Sequence, residues 1–316
     1  MKSATLHFEF HIPITALAMF LLKTWRASAF GVYGYLNFTR NGFLENSKKF
    51  KPEDMEIRLD GKNCVVTGAN SGIGFATAEG LASRGATVYM VCRNMERGET
   101  ALSKIQSSTG NPNLHLEVNN AGLMEHKRVT TSEGFELNFA VNVLGTYAIT
   151  ELMLPLLEKA SLDARVIMVS SGGMYSSPLT SDLQFSNGKF DGVEQYARNK
   201  RVQVAQTEKW AEMYKNKGID FYSMHPGWAE TPGVATSLPD FNKWLSGKLR
   251  TSGEGADTVI WLALQPKEKL VSGGFYFDRA EAPKHLNFAG TSQSHGKIDS
   301  IFDTLRSMLV SHDSKK

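Results

Sequence analysis

Cysteine is scarce in this sequence: Cys64 and Cys92 are the only two among 316 residues, and they lie far apart in apolar segments. No CxxC pair and no histidine cluster accompanies them, so both are predicted to be buried, reduced thiols rather than disulfide or metal ligands. Net charge is small too. The 35 Lys and Arg against 32 Asp and Glu give +3, which argues against nucleic acid as a partner.

Long apolar runs are missing from the basic first fifty residues. Residues 1–51 contain seven Lys or Arg and two Glu, and their apolar run from Ile12 to Leu22 has eleven residues, where a spanning helix needs ~20. Aromatic side chains follow the run, so two interpretations stay open: contact with a membrane surface through residues 1–51, or a packed or frayed extension. Secretion is less favoured because Lys23 and Arg26 precede the candidate cleavage site. We therefore expect a protein that is either cytoplasmic or associated with the cytosol-facing side of a membrane.

From Asn63 onward, short apolar segments alternate with helical ones. The segments "NCVVTG" and "TVYMVCR" are typical of buried strands, and each is followed by a helical pattern. The segments "RVIMVSS" and "IDFYSMHPG" are later strands of the same type. This alternation predicts an α/β fold with a doubly wound parallel sheet of the Rossmann type, which binds ligands at the carboxyl ends of its strands.

The segment "TGANSGIG" connects the first strand to the first helix. Its glycines Gly68, Gly72 and Gly74 allow a tight turn and a close approach to a pyrophosphate, which the helix N-terminus attracts. A glycine-rich turn alone is weak evidence, but the flanking strand and helix favour a dinucleotide site. The second strand ends at Arg93 and not at a carboxylate, so NADP(H) is favoured over NAD(H). The alternative for Arg93 is a solvated surface charge.

Candidate catalytic residues follow in the second half of the chain. Tyr196 and Lys200 of "YARNK" lie one helical turn apart, and the ammonium group, with a cationic nicotinamide nearby, is expected to lower the phenol pKa from about 10. Ser171 ends a strand, where its hydroxyl would hold a substrate oxygen; the neighbouring Ser170 is the weaker candidate. Asn142, inside an apolar helix, is either a core polar group or the holder of a water for proton relay.

In this order, TGxxxGIG, NNAG, the helix Asn, the Ser, and YxxxK followed by PG resemble the short-chain dehydrogenase/reductase family, over about Glu56 to Asp278. The segments "VSSGGM", "YARNKR" and "SMHPGWAETPGV" are similar to one subgroup within it. The resemblance implies hydride transfer between NADP(H) and a small-molecule carbonyl or alcohol. It also implies a homo-oligomer as one expected assembly.

The resemblance assigns roles residue by residue. Tyr196 would protonate the carbonyl or deprotonate the alcohol, Ser171 would bind the reacting oxygen of the substrate, and Asn142 would complete the relay. Lys200 would bind the nicotinamide ribose. The implied cofactor-binding residues are Gly68, Ser71, Gly72, Ile73, Gly74, Arg93, Asn120, Tyr196, Lys200, Pro226, Gly227 and Thr231. A lipophilic substrate is indicated by Leu183, Phe185, Leu238, Phe241 and Trp244, unless these side chains simply pack onto the fold.

One part of the family pattern is too short. Only 25 residues, Asn94 to Val118, separate Arg93 from Asn119, where two helices and two strands need about 40. We expect that the third, edge strand and its helix are missing, with strain or partial unfolding near Asn94–Val118. The predicted division is an extension (1–55), a dinucleotide-binding catalytic domain (56–280) and a tail (281–316). A weak or inactive splice-type variant and a membrane-attached binding protein remain as alternatives to an active enzyme.

Overall fold

The structure is a computed structural model of the chain, and it describes residues 14–118, 122–160 and 163–313. The strands in these ranges are β1 (Asn63–Thr67), β2 (Thr87–Cys92), β3 (Leu114–Val118), β4 (Ala164–Val169), β5 (Ile219–Met224), β6 (Phe275–Phe277) and β7 (Ala280–Glu281). The helices are α1 (Ile14–Asn37), α2 (Arg40–Ser47), α3 (Gly72–Ala82), α4 (Met95–Thr109), α5 (Leu137–Phe139), α6 (Gly145–Ala160), α7 (Gly192–Met213), α8 (Pro232–Ser237), α9 (Pro239–Trp244), α10 (Ser252–Leu264) and α11 (Ile298–Asp313). A π-helical segment, Ala140–Leu144, joins α5 to α6.

The strands form two sheets. The first has the order β1-β2-β3 and is parallel throughout; the second has the order β4-β5-β6-β7, with only β7 antiparallel. Helices α3 and α4 connect the strands of the first sheet, as parallel pairing requires. The predicted α/β fold with parallel strands is therefore confirmed.

The position beside β2 was expected to be empty, and this prediction is wrong. Leu114–Val118 pairs in parallel with β2, with Cys92 opposite Val118, so this segment itself takes the edge position that was expected to be empty. Among the described residues, no strand pairs with the other edge of β1, and Val65 in the middle of β1 is 45% exposed. The shortened chain keeps β3 beside β2 because this connection needs no crossing over β1.

The expected strain at Asn94–Val118 has no counterpart in the local structure. Asn94 caps α4 by accepting a hydrogen bond from the Arg97 N–H at 2.9 Å, and Gly110 ends the helix in a left-handed conformation with φ of 67°. Ala101 and Ile105 are buried in the core that α4 shares with the first sheet. The segment is a regular helix followed by a paired strand.

Helices α3 and α10 pack together and connect the two sheets. A Cβ atom on Gly80 of α3 would lie 2.4 Å from Cδ1 of Ile260 on α10, which shows how closely the helices approach. The same apolar core contains Val88 of the first sheet and Met224 of the second. Helix packing thus holds the sheets in one body although their strands are not paired across the gap.

The C-terminal half of the N-terminal extension packs onto the fold. Phe38 is 1% exposed and contacts the rings of His225 and Phe277. Arg250, also 1% exposed, pairs with Asp278 at 2.5 Å and donates from Nε to the Phe38 carbonyl at 3.0 Å. This part of the extension therefore belongs to the folded core, whereas much of the outer face of α1 is exposed.

Helix α11 in the C-terminal tail also packs onto the fold. The Phe302 ring lies 5.1 Å from that of Tyr147 on α6 and 5.6 Å from that of Trp210 on α7. Ile301 and Leu305 are buried in the same cluster. Among the described residues, the only helical stretch long and apolar enough to cross a membrane is Leu137–Ala160, and it also carries Asn142. Its buried residues Phe139, Val143 and Tyr147 belong to the same core cluster as Phe302.

Candidate active site

The glycine-rich turn after β1 has the conformation its sequence predicts. Gly68 and Gly72 adopt φ of 67° and 56°, which residues with a side chain rarely adopt. A Cβ atom on Gly74 would lie 2.3 Å from the carbonyl oxygen of Gly68, so the turn closes only around glycine. Ser71 and Ile73 lie at the start of α3, whose first N–H groups have no partner within the helix. These residues fit the pyrophosphate of a dinucleotide.

The end of β2 lies beside this turn. Thr67 pairs with Val91, and the Gly68 N–H donates to the Val91 carbonyl at 2.7 Å, so the next residues of β2 pass alongside the turn. Cys92 is buried, and its sulfur accepts hydrogen bonds from the backbone of the turn; burial raises the pKa of its thiol. Arg93 is exposed and makes no ion pair with any residue that the structure describes. Its guanidinium is therefore available for an anionic ligand.

Ser171 and Tyr196 are brought together after β4. The Ser171 hydroxyl lies close enough to the Tyr196 phenol to lower the pKa of that phenol, and it accepts from the Gly173 N–H at 3.1 Å. The neighbouring Ser170 is buried and donates instead to the backbone carbonyl of Lys200 at 2.8 Å. This geometry separates the two serines: Ser170 binds α7, and Ser171 is the one beside the phenol.

Lys200 lies one turn after Tyr196 on α7, and its Nζ is 5.3 Å from the centre of the Tyr196 ring. The ammonium donates to the Val169 carbonyl and to Oε1 of Gln203, both at 3.0 Å. Burial lowers the pKa of Lys200 to about 8. Burial raises the pKa of Tyr196 to about 12, and the Ser171 hydroxyl opposes that rise. The expected lowering of the phenol pKa by Lys200 is outweighed here by burial.

Asn142 lies in the π-helical segment and faces the chain that follows β3. Its Oδ1 accepts from the Leu123 N–H at 2.9 Å, and its Nδ2 donates to the Leu123 carbonyl at 2.7 Å. A Cβ atom on Gly122 would lie 3.0 Å from Oδ1 of Asn142 and 4.0 Å from Nζ of Lys200. The Asn142 side chain thus holds the Gly122–Leu123 segment beside Lys200. Asn120 lies outside the described residues.

The segment after β5 closes the site from the other side. Gly227 adopts φ of 78°, and a Cβ atom there would lie 2.2 Å from Nε of Arg250, so glycine is required after Pro226. Thr231 caps α8 by accepting from the Val234 N–H at 3.1 Å. A Cβ atom on Gly72 would lie 3.2 Å from Cγ2 of Thr231. The two predicted cofactor-binding segments are therefore in contact.

The side chains that suggested a lipophilic substrate divide into two groups. Leu183 and Phe185 are buried, with Phe185 packed against Arg198, so these two form part of the core. Trp244, by contrast, is 65% exposed beside Tyr35 of α1. Phe241 packs edge-on against Trp228, and Leu238 is partly buried in the same region.

Three residues near the site were not singled out from the sequence. Gln203 contacts Lys200, His225 accepts from the Gly172 N–H at 2.8 Å, and Phe38 lies against His225. His225 directly precedes Pro226, and this adjacency was the only sequence signal for it. No local pattern marks Phe38 or Gln203, because both depend on contacts between distant segments.

Comparison with known proteins identifies the family. A family model of short chain dehydrogenases matches residues 62–117. The chain is 42% identical to dehydrogenase/reductase SDR family member 12 of Bos taurus, over 90% of this chain and 98% of that one. It belongs to the short-chain dehydrogenase/reductase family. Member 12 is the subgroup to which the sequence motifs pointed, and the protein is an oxidoreductase of the short-chain type.

More distant similarities agree with this assignment. Human retinol dehydrogenase 11 is 33% identical over 70% of this chain and 79% of its own length. Among solved structures, a Pseudomonas aeruginosa RhlG/NADP active-site complex superposes with a TM-score of 0.56 at 18% identity, covering 72% of this chain and 96% of that one. That structure supports the Rossmann-like fold.

Proposed function

We propose that this protein is an NADP(H)-dependent oxidoreductase that transfers a hydride between the nicotinamide and a carbonyl or alcohol carbon of a lipophilic compound. The observation that carries the proposal is the assembly of Ser171, Tyr196 and Lys200 after β4. The relationship to retinol dehydrogenase 11, whose name specifies a lipophilic alcohol, supports the substrate class.

Each residue of the site has its own role in the proposed reaction. Bound NADPH would supply the hydride. Tyr196 keeps its proton at neutral pH because burial raises the pKa of its phenol, so it carries the proton that a carbonyl oxygen would receive, although it is a weaker acid than a free tyrosine. The Ser171 hydroxyl lies beside the same phenol, so both hydroxyls would contact one substrate oxygen. Lys200 has one ammonium hydrogen left for a ligand after its two hydrogen bonds.

The proposed preference for NADP(H) depends on Arg93. A carboxylate accepts a hydrogen bond from the ribose of NAD, whereas a guanidinium binds a 2′-phosphate in two-pronged geometry. Arg93 is exposed beside the glycine-rich turn. The solved RhlG structure is described as an NADP complex, which agrees with this cofactor for a protein of the same fold.

Calorimetric titration of the full chain with NADPH and NADH tests the cofactor. We expect tighter binding of NADPH, and Arg93→Glu should weaken NADPH at least about tenfold more than NADH, because one charge-assisted hydrogen bond is worth about 1.5–3 kcal/mol. Arg97→Glu is the matched control, since Arg97 is an exposed arginine on the next turn. Equal effects of the two substitutions would refute the role of Arg93.

The competing function is a weak or inactive variant, and the open edge of β1 favours it. A screen of carbonyl compounds that includes a retinoid aldehyde, with Tyr196→Phe as control, separates the two. NADPH consumption that disappears in Tyr196→Phe supports the enzyme. A folded chain that binds neither cofactor would refute the enzymatic proposal for this protein.

We further propose that the outer face of α1 attaches the protein to a lipid surface. Large exposed apolar side chains follow this helix at helical spacing: Leu17, Phe20, Leu21, Trp25, Val32 and Leu36. The opposite face packs on the fold through Phe30 and Tyr33. Trp244 extends the exposed face beside Tyr35, and Arg40 lies half-exposed at its end. An apolar stripe edged by aromatic and basic side chains is suited to a membrane interface.

Vesicle flotation of the full chain tests this attachment. We expect wild-type protein to float with vesicles that contain anionic lipid, and a Phe20→Glu/Leu36→Glu double variant to stay at the bottom. Leu152→Glu is the matched control, because Leu152 is 77% exposed on α6, away from α1. Attachment through α1 is refuted if wild type does not float or if the double variant floats equally.

A further inference from the structure

The amide side chain of Gln203 bridges Lys200 and the π-helical segment. Gln203 lies three residues after Lys200 on α7 and is 4% exposed. Its Oε1 accepts from Nζ of Lys200 at 3.0 Å, and its Nε2 donates to the backbone carbonyl of Asn142 at 2.7 Å. One side chain therefore connects the ammonium group to the backbone of the opposite helix.

The orientation of this amide is determined by its partners. A carbonyl lies on one side of Gln203 and an ammonium group on the other. Rotating the amide by half a turn would place NH₂ against the ammonium of Lys200 and oxygen against the oxygen of Asn142, which loses both hydrogen bonds. The acceptor oxygen is therefore fixed in place beside Lys200.

The backbone carbonyl of Asn142 accepts hydrogen bonds from two side chains. This oxygen accepts from Nε2 of Gln203 at 2.7 Å and from the Thr146 hydroxyl at 2.8 Å. Gln203 therefore lies between the Asn142 carbonyl and Lys200.

We propose that Gln203 is a positioning residue of the active site, which couples Lys200 to the backbone of Asn142 and directs the remaining ammonium hydrogen toward the ligand. The inference rests on the proposed function only for its effect on turnover. A fixed acceptor also favours the charged form of the lysine. Burial lowers the pKa of Lys200, and we expect the hydrogen bond to Gln203 to oppose that decrease.

The other titratable side chains around Lys200 do not change their charge in the pH range in which Lys200 titrates. Among the described residues, the titratable side chains that face it are Tyr196 on the same helix and His225 after β5. Burial raises the pKa of Tyr196 and holds the pKa of His225 well below its ordinary value. Both therefore keep one protonation state between about pH 7 and pH 9, where Lys200 titrates.

The test compares Gln203→Met, Gln203→Glu and the matched control Gln206→Met. Gln206 is also buried on α7, and it donates to the next backbone carbonyl, that of Val143, at 3.4 Å and not to a group that contacts Lys200. The measured quantity is the pH midpoint at which Lys200 becomes acetylated in the intact chain without cofactor, followed by mass spectrometry. The pH dependence of kcat is measured alongside.

We expect Gln203→Met to lower the acetylation midpoint by about one pH unit, and Gln203→Glu to raise it, because a carboxylate replaces the neutral acceptor. Gln206→Met should leave it unchanged. If one Gln203 variant does not fold, the sign of the shift in the other decides. Unchanged midpoints, or shifts of the same sign in both Gln203 variants, would overturn the inference.

The acetylation measurement also separates this inference from the proposed function. A shifted midpoint in a chain that turns over no carbonyl compound would support the bridge and refute the enzyme. An active wild type whose Gln203 variants show neither a shifted midpoint nor a shifted kcat profile would support the enzyme and refute the bridge.

Discussion

Phe38 connects the N-terminal extension to the turn that follows Ser171, the proposed catalytic serine, and its truncation should damage both stability and activity. The side chain is 1% exposed, and its ring lies 4.2 Å from that of His225, centre to centre. A Cβ atom on Gly172 would lie 2.5 Å from Cε2 of Phe38, so the ring lies directly against the turn that follows Ser171. Phe38→Ala should lower the free energy of unfolding by about 3–5 kcal/mol, since a buried Phe-to-Ala change leaves a cavity.

Urea unfolding of the full chain measures this loss, with Trp25→Ala as matched control. Trp25 is an aromatic residue of α1 that is 53% exposed, so its truncation should change the unfolding free energy by only about 0.5 kcal/mol. We also expect a lower kcat in Phe38→Ala because the Ser171 turn loses its support. Equal unfolding free energies for the two variants would refute the argument that the extension is part of the core.

Three further predictions concern the cofactor turn, the lysine and the open strand edge. Gly74→Ala should weaken NADPH binding at least about tenfold in calorimetry, since its Cβ would lie 2.3 Å from the Gly68 carbonyl, whereas Gly31→Ala, with open space around it, should not. The rate of carbonyl reduction should fall as pH rises through about 8, where Lys200 loses its charge; a rate that is flat or increases up to pH 9 would contradict this. In hydrogen exchange, alternate amides of β1, which point away from β2, should exchange quickly because no described strand pairs with that edge; uniform protection across Val65 would show that the edge is covered.

Local sequence patterns predicted much of the fold and the site because those features depend on neighbouring residues. The glycines of "TGANSGIG" must turn tightly wherever they occur, and the spacing of Tyr196 and Lys200 puts them on one helix face. The structure then places the Ser171 hydroxyl beside the Tyr196 phenol. Confirmation of the family adds the reaction type, which the residues alone only suggested.

The features that sequence reasoning missed depend on contacts between distant segments. The position of Leu114–Val118 was mistaken because the family pattern was applied to a shortened chain, while strand pairing depends on which neighbour the connection can reach. The pKa of Tyr196 was expected to fall, yet burial dominates, and burial is not readable from a five-residue motif. The contacts of Phe38 and Gln203 likewise join elements far apart in the chain.

The location of the open strand edge determines which parts of the proposed site share one sheet. An empty third-strand position would have left β2 and Arg93 at an open edge, on the adenosine side of the proposed cofactor. Instead β3 covers β2, and the gap lies between β1 and β4, so the glycine-rich turn and Ser171 belong to different sheets. Those halves are held together by helix packing: a Cβ atom on Gly255 of α10 would lie 3.2 Å from Ile73 of α3. We therefore expect activity to depend on the α3–α10 contact, and the NADPH titration tests whether the two halves together bind the cofactor.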